Sequence, residues 1–248
     1  MKLSVILIVK NEAERLDACL ASVSFADEII VLDSGSTDET CAIARRHGAR
    51  VETSADWPGF GPQKNRALDL ATGDWVLSID ADEQVTPELA QAIQAAVQAP
   101  DADAYRIARL SRFCGRWIRH SGWWPDYVVR LFRRDAGRFT DAAVHERVQV
   151  RGRTGTLRGH FLHDPYASLE VFVDKINRYS TEAARSAFER GRRTSVLGPF
   201  GHAAWTFIRH YILRRGFLDG WQGLVLAGMA ATGSFYRYVK LYRLGRGL

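Results

Sequence analysis

The chain has 248 residues, with 34 Lys and Arg against 28 Asp and Glu for a formal net charge of +6, and 46% of its residues are hydrophobic. That is enough for a buried core in one large domain, or in one domain with an appendage. The three cysteines, Cys19, Cys41 and Cys114, are odd in number, widely spaced and form no C-x-x-C pair, so neither a disulfide framework nor a zinc site is implied.

Leu3 to Val9 is a continuous apolar run rich in β-branched residues, as expected of a strand covered on both faces. It is short and leads into Lys10-Asn11-Glu12 without a small-residue cleavage pattern, so it reads as a first strand rather than a signal peptide. Asn11 and Glu14 form a helix-start pair ahead of Leu16, Leu20 and Val23. A second apolar run, Ile29 to Leu32, ends on Asp33. Gly35 then permits a tight turn, and Ser36 with Glu39 predicts a capping box for a helix that stops near Gly48. Arg50 to Thr53 is a short strand, and Pro62 to Ala71 a helix ended by Gly73. Trp75-Val76-Leu77-Ser78-Ile79 then delivers Asp80-Ala81-Asp82 at a strand end, and Thr86-Pro87 caps a helix to about Val97. This alternation predicts an α/β domain with a mostly parallel, Rossmann-like sheet and right-handed crossovers. Three strands end in polar or acidic residues, at Asn11/Glu12, Asp33 and Asp80/Asp82, which marks a nucleotide cleft at the carboxyl edge of the sheet. Carboxylates there suit Mg²⁺ or Mn²⁺, ions that complete their shell with substrate phosphates.

The segments SVILIVKNE, VLDSGSTDET and QKNRALDLATGDWVLSIDADE, in this order, resemble the nucleotide-binding half of family 2 glycosyltransferases with the GT-A fold. GWWPDYVVRLFRR, VHERV and GHFLHDPYASLEVFVDKINRYSTEAA resemble more narrowly the bacterial branch that adds glucose in β-1,4 linkage to the lipopolysaccharide inner core. Many relatives carry a second Asp where this chain has Ser34, so no role for that carboxylate transfers. The resemblance implies a UDP-sugar donor, a glycolipid acceptor and inversion at the anomeric carbon.

Loss of a nucleoside diphosphate builds charge on a phosphate oxygen, which a divalent ion stabilises. Asp82 is the first choice as its protein ligand, with Asp80 bound to ribose or to the ion through water, and His163 a further candidate ligand. Asp33 stands where an acceptor for the uracil N–H or the ribose hydroxyls is needed, and Asn11 and Glu12 line the base pocket. The resemblance implies the same roles and places Lys64 near base and diphosphate; a solvated helix lysine is the alternative. The acceptor hydroxyl needs a general base. Asp126, in an aromatic loop able to exclude water, is the first candidate, and Glu146 in Val144-His145-Glu146-Arg147 is the rival, unless it belongs to a buried His-Glu-Arg network. Arg130 and Arg133 bracket Leu131-Phe132 and read as sharing one strand face toward a diphosphate or a phosphorylated acceptor, or else as ion-pairing with the acidic half.

Residues 1–104 hold 18 acids and 8 Lys/Arg, residues 105–195 hold 9 and 19, and residues 196–248 hold Asp219 alone against 7. This divides the chain into an acidic nucleotide half (1–104) and a basic acceptor half (105–165) of one catalytic domain (1–165), followed by a helical, basic appendage (166–248). The pattern favours an anionic membrane surface or acceptor. No helix-turn-helix, zinc-finger or stacking pattern points to nucleic acid. Trp and Tyr among Lys and Arg in the last 53 residues make an interfacial composition, so the protein is expected at the inner face of the cytoplasmic membrane, bound peripherally. Gly220 to Tyr236, 17 uncharged residues with four Gly, is marginal for a span. Packing on the catalytic domain or a homodimer contact are its other uses. A D-x-D phosphatase-like hydrolase and a non-catalytic nucleotide-sugar binder are the competing functions.

Overall fold

A computed structural model describes residues 1–141, 146–166 and 168–247. The chain forms two compact units: Met1–Arg109 with Asp126–His163, and Leu110–Pro125 with Asp164–Leu248.

In the first unit, β1 (Leu3–Val9), α1 (Ala13–Ser22), β2 (Glu28–Asp33), α2 (Thr40–Arg46), β3 (Arg50–Thr53), α3 (Phe60–Leu70) and β4 (Trp75–Ser78) alternate as expected. β5 (Glu83–Val85) and α4 (Pro87–Gln98) follow, then β6 (Ala104–Phe113), which runs on into the second unit and pairs there with β7 (Arg116–Trp117). The first unit resumes with β8 (Asp126–Arg133), β9 (Gly137–Phe139), β10 (Val148–Val150) and β11 (Thr154–His163). The main sheet runs β3-β2-β1-β4-β8-β6-β11-β5. β3, β2, β1 and β4 are parallel to one another, whereas β8 lies antiparallel to β4 and β6, and β11 to β5. β1 sits between β2 and β4 with helices over both faces, which is why nearly all of its residues are buried. Gly73 is required at the entry to β4, because a Cβ there would stand 2.7 Å from Ser4 Oγ and 2.9 Å from Lys2 O.

Two helix starts differ from expectation. Neither Asn11–Glu14 nor Ser36–Glu39 forms a capping box; α1 and α2 have no side-chain cap from their flanking residue. The polar side chains instead bind the two loops to each other. Asn11 N–H donates to Ser36 Oγ and Thr37 N–H to Asn11 Oδ1, each at 2.8 Å, while Glu12 N–H donates to Thr40 Oγ1 at 2.8 Å and Ala13 N–H to Asp38 Oδ2 at 3.2 Å. Orphan helix donors are satisfied by a neighbour 25 to 28 residues away, a choice that local spacing cannot reveal. Thr86 caps α4 as expected, accepting from Leu89 N–H.

The second unit comprises the β6–β7 turn and α5 (Leu169–Glu189), α6 (Gly198–Ile208) and α7 (Gly220–Arg246). Between α6 and α7 lie a π-helical turn (Arg209–Leu213) and a 3-10 turn (Gly216–Asp219). Residues 110–125 fall in this unit, rather than with the sheet, because Phe113, Ile118 and Trp123 pack against Phe172 and Leu226. Lys240 Nζ fastens α7 to α5, donating to Asn177 O, Asn177 Oδ1, Ser180 Oγ and Thr181 Oγ1 at 2.7–2.8 Å. Among the described residues no helix is long and apolar enough to cross a membrane, so Gly220 to Tyr236, marginal for a span in sequence, lies within α7 without meeting that requirement.

Candidate active site

The D-x-D turn is closed by its own neighbour. Glu83 N–H donates to Asp80 O and Asp80 N–H to Glu83 Oε2, both at 3.0 Å, and the Glu83 side chain is wholly buried. Asp80 has a cation on each oxygen: Lys64 Nζ lies 3.0 Å from Oδ1, and Arg130 Nη2 makes a very short contact to Oδ2. Burial opposes the charge of Asp80, but Arg130 and Lys64 outweigh it and hold the carboxyl well below the usual range. Burial opposes the charge of Arg130 likewise, and Asp80 and Glu83 overcome it, raising its pKa further.

Lys64 reaches this place because α3 is docked tightly on β9. Asn65 exchanges two hydrogen bonds with the Phe139 backbone at 2.9 and 3.0 Å, and a Cβ on Gly61 would stand 1.8 Å from Thr140 O. Thr140 in turn ties the β9–β10 connection through Arg147, by N–H to O at 3.0 Å and back to Oγ1 at 3.1 Å. Glu146 is thereby set 2.9 Å from Lys64 Nζ. On the other side Glu83 Oε1 lies 3.1 Å from Arg130 and 3.6 Å from Arg109, and Arg109 pairs with Asp126 Oδ2 at 2.5–2.9 Å. Asp126 is 44% exposed, and its environment is this ion pair rather than a water-excluding aromatic enclosure. Lys64, Asp80, Arg109, Asp126, Arg130 and Glu146 line one cavity of about 760 Å³.

A second cavity, of about 380 Å³, is formed by Ile8, Val9, Lys10, Glu12, Ser34, Trp57 and Phe60. Trp57 and Phe60 are half-exposed and meet edge to face, 5.0 Å between centroids. Burial pushes the Glu12 carboxyl up, and the negative charges of Asp82, Asp38 and Asp80 add to the shift against Arg15. Glu12, beyond the end of β1, therefore feels the carboxylates beyond the end of β4.

Not every expected residue joins these cavities. Asn11 is spent on the loop lock described above. Asp33 is 2% exposed and accepts from Gly35 and Ser36 N–H at 3.0–3.2 Å, so it shapes the turn beneath the second cavity. Arg130 and Arg133 do not share a face. They are three residues apart, and alternation in a strand turns them to opposite sides. Arg130 lines the cavity, whereas Arg133 lies over the Trp75 ring at 5.3 Å and 3.7 Å from Asp103. Both pair with carboxylates of the acidic half, Arg130 with Asp80 and Glu83 and Arg133 with Asp103. His145 lies outside the described residues; Glu146 finds its partner in Lys64. Asp82 Oδ2 stands 3.7 Å from His163 Nε2. No group of three or more His, Cys, Asp or Glu side chains that could hold a metal occurs among the described residues. One carboxylate and an imidazole still fit Mg²⁺ or Mn²⁺, which take few protein ligands and draw the rest from substrate phosphates and water. Glu83, Arg109, Trp57 and Phe60 were not singled out from sequence. Glu83 directly follows the D-x-D and was legible as part of it; the others carry no spacing signal.

A parallel sheet joined to antiparallel strands, with carboxylates at the ends of β2 and β4, defines a GT-A fold transferase. The model for Glycosyl transferase family 2 matches residues 4–161, and the chain belongs to that family. It is 31% identical to an uncharacterized glycosyltransferase of Rickettsia typhi, over 98% of this chain and 87% of that one. It is 29% identical to the lipopolysaccharide core biosynthesis glycosyltransferase LpsC of Rhizobium meliloti, over 98% and 93%. Staphylococcus aureus TarS 1–349 has a similar fold at 18% identity, with a TM-score of 0.52 over 100% of this chain and 92% of TarS, and has been solved with UDP and with UDP-GlcNAc.

Proposed function

We propose that this glycosyltransferase moves a hexose, glucose, from UDP to an anionic glycolipid, the lipopolysaccharide inner core, with inversion at the anomeric carbon. The observation that carries the reading is the shared cavity. Side chains suited to a diphosphate (Lys64, Arg130) and to an acceptor hydroxyl (Asp126, Glu146) line one space, with the D-x-D at its edge. The likeness to LpsC along nearly the whole chain supports the acceptor class.

In this reading Trp57 and Phe60 flank the uracil and Glu12 borders it, above the turn that Asp33 holds. Asp80 keeps Lys64 and Arg130 in place, and these two cations face the diphosphate. Mg²⁺ or Mn²⁺ held by Asp82, with His163 and with Asp80 through water, would supply a Lewis acid and template for the departing diphosphate. Asp126 takes the acceptor proton. Both of its bonds from Arg109 go to Oδ2, so Oδ1 can face a hydroxyl. Glu146, with Oε1 on Lys64, is the alternative base. The basic helical region, 166–248, brings the enzyme to the anionic inner face of the cytoplasmic membrane as a peripheral protein.

Two measurements test the proposal together. Thermal shift with Mn²⁺ across a panel of nucleotide sugars should select a UDP-hexose. UDP release should then require a core glycolipid, and its product should carry a β-linked sugar. UDP release independent of acceptor, or a retained anomeric configuration, would refute it.

A further inference from the structure

The α6–α7 corner is rigid on its inside and apolar on its outside. From inside it is held by Asp219, which is 2% exposed and accepts Arg119 N–H at 3.2 Å and His120 N–H at 2.9 Å, and pairs with His120 Nδ1 at 3.0 Å. Ser121 N–H donates to Arg214 O at 3.0 Å, and Arg116 donates to Leu218 O at 3.2 Å. Gly216 and Gly223 pack backbone to backbone, since a Cβ on Gly223 would lie 1.8 Å from Gly216 O. Arg215 (φ 53°) and Gly220 (φ 68°) complete the reversal in left-handed conformations.

A corner held this firmly has no folding reason to face large apolar side chains outward. Ile212, Leu213, Phe217 and Leu218 nevertheless do so, with Leu213 61% exposed, and Trp205 and Trp221 are exposed on the flanking helices. Arg209 and Arg215 are exposed among them. Between Arg190 and Gly247 the one acidic side chain is Asp219, already buried, so the described residues of this stretch present an apolar and cationic surface with no exposed acidic side chain. Apolar tips, Trp at the margins and Arg able to reach headgroups are the chemistry of a bilayer interface.

We infer that the α6–α7 corner is a preformed insertion element that enters the headgroup region of an anionic bilayer, with Leu213 and Phe217 deepest. This rests on the peripheral-membrane reading and adds to it which part of the protein penetrates. The full chain is floated with vesicles of phosphatidylcholine alone or with phosphatidylglycerol, and fluorescence is recorded with bromine-labelled acyl chains. The protein should float only with the anionic vesicles, and the quenched signal should fall in Trp221→Phe. Leu213→Glu with Phe217→Glu should weaken binding by about tenfold or more, whereas Leu169→Glu with Val173→Glu, on exposed positions of α5, should not; circular dichroism checks both folds. Flotation unaffected by the corner substitutions, with Trp221 unquenched, would overturn the insertion element and leave membrane association standing. Absence of flotation in the unaltered protein would overturn both. A dimer in solution that the corner substitutions dissociate, without flotation, would assign the face to a second copy of the chain.

Discussion

Lys64 and Glu146 are 82 residues apart, yet Nζ and Oε1 stand 2.9 Å from each other at the wall of the cavity. The contact begins a ladder of alternating charges, Glu146–Lys64–Asp80–Arg130–Glu83–Arg109–Asp126, that joins both candidate bases to the D-x-D. Each rung leaves the next charge compensated, so the ladder holds several charged groups in a largely buried place.

Removing Lys64 should therefore cost more than a surface lysine would. Its side chain is 5% exposed, and Lys64→Met strands Asp80 and Glu146 beside each other. The loss of stability should be roughly 3–5 kcal/mol by denaturant unfolding. Combining Lys64→Met with Glu146→Gln should recover part of it, with a coupling of about 1 kcal/mol or more. Strict additivity would mean that the contact carries no energy.

The alternation of strands and helices and the acidic strand ends were legible because they depend on local composition: β-branched runs, Gly at turns, Asp at exits. Thr86-Pro87 was legible for the same reason, as both halves of the signal are adjacent. What could not be read is what closes over distance. Asn11 and Ser36 look like helix caps in sequence and are cross-loop ties in the structure. Arg109 carries no motif, and only the pairing of β6 with β8 brings it to Asp126. The D-x-D itself was found, but its first carboxylate is committed to two cations, a fact that resides in residues 64 and 130.

Asp82→Asn should abolish the Mn²⁺-dependent part of UDP affinity and nearly all turnover, because the ion would lose its charged protein ligand. Calorimetric titration with UDP, with and without Mn²⁺, checks this; an unchanged metal dependence would remove Asp82 from the ion. Asp33→Ala should weaken UDP in both conditions alike, since it disturbs the turn that Gly35 and Ser36 make over it.

Trp57 offers a face for a base beside Glu12. Trp57→Ala should lower UDP affinity by roughly 1–3 kcal/mol, the usual range for stacking on an aromatic side chain. The same variant should leave the melting temperature nearly unchanged, because half of the indole is already in solvent.

The depressed pKa of Asp80 has a defined consequence for acid stability. Its folded value lies below the ordinary 3.8, so between the two values the unfolded chain binds more protons and stability rises with pH. The contribution is complete above the unfolded value and is lost as the pH falls from there toward the folded one. Asp80→Asn should be less stable than the parent at pH 7 by roughly 2–3 kcal/mol, allowing for partial exposure. The gap should narrow as the pH is lowered toward about 2. A gap that stays constant over this range would show that the ion pairs with Lys64 and Arg130 do not depress the Asp80 carboxyl.

The two candidate bases are separated by their rates. Asp126 sits at the start of β8 with Oδ2 on Arg109, and Glu146 follows β9 with Oε1 on Lys64, so each carboxylate is oriented by a cation. Replacing the true base by its amide preserves shape and donor binding but removes the proton acceptor, which should cut turnover by about 10²–10⁴-fold, or roughly 3–5 kcal/mol of barrier. Asp126→Asn should show that loss with UDP affinity intact. Glu146→Gln should act differently: freeing Lys64 from one of its two anions changes the cation that faces the diphosphate, so donor affinity should shift along with the rate. A collapsed rate in Glu146→Gln with unaltered UDP affinity, beside near-normal turnover in Asp126→Asn, would move the base to Glu146 and make the Asp126–Arg109 pair a structural rung of the ladder.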